Sequence, residues 1–109
     1  MLPAFGLAAT LAASQAYAET CAEWMTKLSA ARNSALEGVH TSGNWLQGFP
    51  GNLEVFCPRA EELHTAEVAL LAFMVKNKAH CSFPDDAIAK LAGTVKHNKD
   101  FADWYCKSR

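Results

Sequence analysis

EELHTAEVALLAFMVKN, residues 61–77, decides the fold. Its central eight residues, Val68 to Val75, are all apolar, and neither Pro nor Gly interrupts the stretch. Acid at its start and Lys76-Asn77-Lys78 at its end complement a helix macrodipole, so residues 61–77 are expected to be helical. A helix that is apolar on every side needs neighbours all round, which predicts a central, surrounded position.

Toward the C-terminus, Ser82-Phe83-Pro84-Asp85-Asp86 reads as a helix start, with Pro near the first turn and acid behind it. Ala87, Ile88, Leu91, Ala92 and Val95 follow at helical spacing, and a last short helix from Asp100 to Cys106 carries Phe101, Trp104 and Tyr105. Toward the N-terminus, Phe49-Pro50-Gly51-Asn52 is a turn that opens a loop running to Cys57-Pro58. Before it, Gly38, Gly43 and Gly48 mark a poor helix held by close contact. Residues 20–37 lack Pro and Gly, and Thr20 with Glu23 forms a capping box. Trp24, Met25, Leu28, Ala31, Ala35 and Val39 make one apolar stripe; Ser34 with Glu37 offers an alternative break near Asn33. There is no repeat and no alternating strand pattern. The expectation is an all-α fold, a small disulfide-stapled bundle of four to five helices.

The chain has 109 residues, which allows one domain. Half of it is apolar, with three Trp, six Phe and two Tyr, enough for a packed core. A net charge of −1 without a basic cluster leaves no footprint for nucleic acid or for a polybasic membrane tether. All ten Lys and Arg and all eleven Asp and Glu lie beyond Ala18. Residues 1–18 read as a secretory signal: Leu7 to Ala13 is an apolar core, and Ala16-Tyr17-Ala18 is the small-x-small pattern for cleavage. The n-region lacks Lys and Arg, which suggests an N-terminus trimmed or started too far downstream. Residues 19–109 would then be a single helical domain, periplasmic or secreted. No later apolar run reaches the roughly 18 residues that a membrane-spanning helix needs.

Export bears on Cys21, Cys57, Cys81 and Cys106. An even number in a small exported domain reads as a disulfide framework, and no C-x-x-C pair suggests zinc or redox chemistry. His80 beside Cys81 is a poor metal pair, because adjacent residues rarely face one ion. Four cysteines allow three connectivities. If the helices from Glu61 and from Pro84 are antiparallel, Cys57 meets Cys106. Cys21 then reaches Cys81 provided that residues 20–48 form one long or gently kinked rod; a sharp turn at Asn33 would defeat this pairing.

No catalytic constellation emerges. H-E-x-x-H, G-x-S-x-G, G-x-x-x-x-G-K-[ST] and G-x-G-x-x-G are absent. His64 and His97 fall on expected polar faces, and the acid pairs Glu61-Glu62 and Asp85-Asp86 read as dipole partners in first turns. No enzyme activity, cofactor or metal is expected. Trp45, Phe49 and Phe56 border the glycine-rich turn, with Trp45 read as core. The turn carries Phe49, Leu53, Glu54, Val55 and Phe56, more apolar than a loop needs to be, which marks it as a contact surface for a protein partner.

Gly43-Asn44-Trp45-Leu46-Gln47-Gly48-Phe49, Phe56-Cys57-Pro58, the apolar helix through Val68 to Val75, and the closing Tyr105-Cys106 resemble the Rap/Tai immunity proteins of type VI secretion amidase effectors. The chain departs from that family at Asn44, where a Cys is usual, and at Cys81, where none is. The resemblance implies a periplasmic helical homodimer that binds a peptidoglycan-cleaving amidase and blocks it. A second resemblance, carried by Thr20-Cys21-Ala22-Glu23-Trp24, Trp45-Leu46-Gln47-Gly48 and Cys81, is to the HdeA/HdeB acid-stress proteins. It implies a periplasmic chaperone that loosens at low pH and holds other chains.

Overall fold

The computed structural model describes the backbone of residues 9–42 and 51–107, with side chains from Thr20 onward. The described residues are helical: α1 Ala9–His40, α2 Leu53–Lys76, α3 Lys78–Cys81 and α4 Asp85–Cys106, with no strand among them. The all-α, disulfide-stapled architecture is as the sequence implies. Phe49, Trp45 and the glycines at 43 and 48 lie outside the described residues.

α1 is a single rod of 32 residues. It continues through Thr20, which is therefore no N-cap in this chain, and shows no break at Asn33. The point of expected signal cleavage, after Ala18, falls inside it. Gly38 sits in its last turn, where Arg59 of α2 passes close by and its Nη1 donates to the Gly38 carbonyl at 3.0 Å.

α2 begins eight residues earlier than expected. Gly51 takes a positive φ of 74°, and the Asn52 side chain accepts from the Glu54 amide at 2.9 Å. That cap starts the helix at Leu53 and absorbs the segment read as a loop. Pro58 lies inside the helix. Its missing N–H deprives only the carbonyl of Glu54, in the exposed first turn, so its cost is small there. Phe56, 1% exposed, repays it by burial worth about 2–3 kcal/mol.

α2 ends at Asn77, whose backbone and side-chain nitrogens both donate to the Phe73 carbonyl. The single turn of α3, unanticipated from sequence, carries Cys81 back across the layer. Ser82 closes it in the left-handed region at φ 57°, and Pro84 in extended conformation starts α4. Lys78 pairs with Asp85 across this connection. α4 is one helix of 22 residues instead of two. Lys96 with Asp100 and Lys99 with Asp103 stitch the region where a break was expected, each at i,i+4 spacing.

The three long helices are antiparallel in sequence, with α2 in the middle. Cys57 joins Cys106 at one end, with Cα atoms 5.9 Å apart, and Cys21 joins Cys81 at the other, 5.7 Å apart. Both pairings are those that chain direction favours. The bridges span 60 and 49 residues, and loop-closure entropy gives each about 4 kcal/mol. The core is shallow: Val39, Phe56 and Leu63 form its lower cluster, with Phe101 and Tyr105 against it, and Leu70, Met74 and Val95 lie above.

The surrounded position expected for α2 is not observed. Val68 is 43% exposed and Val75 57%, because α1 and α4 cover only part of the helix circumference and no described element covers the rest. The α1 stripe is also shallower than expected: Trp24 and Ala31 are exposed, and only Val39 is fully buried.

Gly93, in the interior of α4, has open space where a Cβ would sit. Gly93→Ala is expected to stabilise the protein by about 0.5–1 kcal/mol, raising the thermal midpoint by several degrees in a melting experiment.

Candidate functional site

The spacing of Leu63, Glu67, Leu70 and Met74 on α2 puts a carboxylate in an apolar stripe, and all four are buried. Glu67 is 0% exposed. Its Oε2 accepts from Nε of Arg32 on α1 at 3.1 Å, with Nη2 of the same guanidinium 3.0 Å away in an ion pair, and from Nδ2 of Asn98 on α4 at 3.0 Å. One oxygen thus ties three helices together. Among the described residues its other oxygen, Oε1, has no hydrogen-bond partner, nor does the buried Nδ1 of His64 one turn earlier on the same helix. Such buried unpaired groups cost about 1–3 kcal/mol each, so the tie is not optimised for stability alone.

Below this tie lies a cavity of about 630 Å³ between the C-terminal halves of α1 and α4, floored by α2. Leu36, Val39, Phe56, Leu63, Phe101 and Ala102 give it apolar walls, and the Cys57–Cys106 bridge closes one end. His40, His64 and His97, from three different helices, all line it. The helical spacing puts His64 and His97 on polar faces, yet His64 is half-buried with a shielded nitrogen. Among the described residues no three His, Cys, Asp or Glu side chains are placed to hold a metal ion, and no helix is long and apolar enough to cross a membrane.

At the rim, Asp103 accepts from Lys99 at 3.0 Å and lies 3.5 Å from Lys107. The Lys99 hydrogen bond, with the Lys107 charge adding to it and partial burial opposing, holds the Asp103 carboxyl below its usual range. A depressed carboxyl contributes stability at neutral pH that fades as pH falls through that lowered value.

Of the residues expected to form a contact loop, Leu53, Glu54, Val55 and Phe56 occupy the first turn of α2, and Phe49 lies outside the described residues. Leu53 packs on the core and Phe56 is buried within it, so neither presents a surface. Glu54 is exposed and Val55 is 36% exposed; these two remain available, at the same end of the layer as the cavity. The four cysteines are all bridged. Arg32, Glu67 and Asn98 escaped the sequence reading. The signal that could have found them was a lone carboxylate at a core position of α2.

No family model matches the chain, and no solved structure matches it. A ubiquitin-like, FUBI-like protein of Homo sapiens is 36% identical over 67 residues, covering 52% of this chain. The chain spans 66% of that protein, just under two thirds, and the match assigns neither a family nor an activity.

Removing one partner of the buried tie should leave an uncompensated charge. Arg32→Met is expected to destabilise the fold by about 3 kcal/mol in urea unfolding, whereas Arg32→Met combined with Glu67→Leu should recover most of that loss.

Proposed function

We propose that this chain is an exported, non-enzymatic inhibitor that binds a peptidoglycan-cleaving amidase effector and blocks it. The sequence resemblance to type VI secretion immunity proteins supplies the target class. The observation that supports a binding role is the cavity along the first half of α2, largely apolar inside and bordered by Glu61, Lys99 and Lys107. The disulfide between Cys57 and Cys106 fixes its two sides, so an anchoring side chain from a partner would meet a preorganised pocket. Leu53 and Phe56 belong to the core, which leaves Glu54 and Val55 as the residues that touch the partner beside that pocket.

In this reading the chain is periplasmic or secreted and loses residues 1–18, so N-terminal sequencing of the exported protein should begin at Glu19. Two variants test the contact. Glu54→Lys with Val55→Asp alters the exposed turn, and Ala102→Phe narrows the cavity. Each is expected to weaken binding to an amidase encoded beside this gene by about 2–3 kcal/mol while the melting temperature holds. Undiminished binding by both variants rejects this surface.

A second reading, the acid-stress chaperone, is favoured by the Glu67 tie. One carboxylate tie joins α1, α2 and α4, and strong acid removes carboxylate charge in general, so the layer would loosen as a unit. It predicts binding of an apolar dye at about pH 2–3. A compact chain that binds no dye at that pH excludes it.

A further inference from the structure

The cavity beneath the Glu67 tie has a polar end that the described residues leave unsatisfied. It follows α2 from Cys57 to Glu67, a stretch of about 15 Å at the rise of an α-helix. The Cys57–Cys106 bridge closes one end, and Leu36, Val39, Leu63, Phe101 and Ala102 supply apolar walls. At the other end stand His64 and Glu67, the latter 0% exposed. Arg32 and Asn98 engage only Oε2 of Glu67. Its Oε1 and the Nδ1 of His64 are buried and have no hydrogen-bond partner among the described residues. The two residues are three apart on one helix, so their side chains are neighbours. A volume of about 630 Å³ is that of a small-molecule site, far above the voids that ordinary packing leaves.

We propose that this cavity binds a small apolar molecule carrying a hydroxyl, an alcohol or a phenol, with the hydroxyl at the Glu67 end. Charge decides the class of the head group. Arg32 already neutralises Glu67 from 3.0 Å, so an ammonium brought there would be an uncompensated buried cation, and a second carboxylate would be repelled. A neutral group that both donates and accepts meets neither cost. A hydroxyl donates its proton to Oε1, and its oxygen accepts from Nδ1 when that nitrogen carries the imidazole proton. One head group thereby satisfies both orphaned atoms, which removes the penalty of leaving them unpaired. No described hydrogen bond holds Nδ1, so the half-buried His64 ring can turn to let the hydroxyl reach Oε1. Water could pair with the same two atoms, but only a molecule with an apolar body also covers Leu63 and Phe101. The inference is independent of the amidase reading, since it needs no second protein.

β-Naphthol and naphthalene, alike in shape but for the hydroxyl, test the proposal when each is titrated into the disulfide-bonded chain and followed by NMR chemical shifts. β-Naphthol is expected to bind at least about tenfold more tightly than naphthalene, with its shifts concentrated at Leu63, Phe101 and Ala102. Ala102→Phe, which fills the cavity, should exclude both probes. His64→Leu and, separately, Arg32→Met combined with Glu67→Leu remove part of the polar end. Each should diminish the preference for the hydroxyl while naphthalene still binds, and circular dichroism should match that of the parent. The comparison of the two probes on the parent chain needs no variant and stands whatever the variants do. Absence of saturable shifts at the cavity with β-naphthol overturns the proposal and leaves the amidase reading untouched. So does equal affinity for the two probes, or a hydroxyl preference indifferent to both changes at the polar end.

Discussion

Two covalent bonds at opposite ends of one helix constrain everything else in this fold. Cys21–Cys81 fastens α1 to the turn that follows α2, and Cys57–Cys106 fastens the start of α2 to the end of α4. A three-helix layer with α2 in the middle buries few apolar side chains completely: Val39, Phe56, Leu63, Leu70, Met74 and Val95 among those described. A core that thin competes poorly with chain entropy, and restriction of the unfolded chain by the bridges, at about 4 kcal/mol each, is of the order of a small domain's whole stability. The bridges also set direction, since each is possible only if neighbouring helices run antiparallel and α1 is unbroken.

Between the two staples, Glu67 sets the register. A carboxylate that meets Arg32 from one side and Asn98 from the other allows little sliding of α1 or α4 along α2, because a shift by one turn would strand it in an apolar layer. The tie also divides the interior. Above it Leu70, Met74 and Val95 pack directly; below it the helices diverge enough to leave the cavity. The same carboxylate that fixes the layer therefore also borders the cavity. It also makes the middle of the layer the part most sensitive to loss of charge.

How much was legible in the sequence follows from the range of each interaction. Helix content and the direction of α2 and α4 came from local signals, namely the apolar run at Val68–Val75, the Pro84 start and the basic residues after Val75. The cysteine pairing followed once direction was granted. Boundaries were harder. Pro58 suggested a loop, yet the Asn52 cap and the burial of Phe56 outweigh one lost hydrogen bond. The apolar run suggested a surrounded helix, but how many neighbours a helix has is a property of the whole chain, and Val68 and Val75 stand exposed. The candidate site was the least legible part. Arg32, Glu67 and Asn98 are far apart in sequence, as are His40, His64 and His97, and only packing brings either set together. Of the expected contact residues, Glu54 and Val55 are exposed, while Leu53 and Phe56 belong to the core for the very hydrophobicity that singles them out.

The central claim, that an unbroken α1 runs antiparallel to α2 with both ends of the layer stapled, has a direct chemical test. Proteolysis of the oxidised chain without reduction, followed by mass spectrometry, identifies which cysteine peptides are joined. Peptides linking Cys21 to Cys81 and Cys57 to Cys106 are expected. A Cys21–Cys57 link would contradict it, because it would require α1 to fold back on itself and place its start at the wrong end of α2.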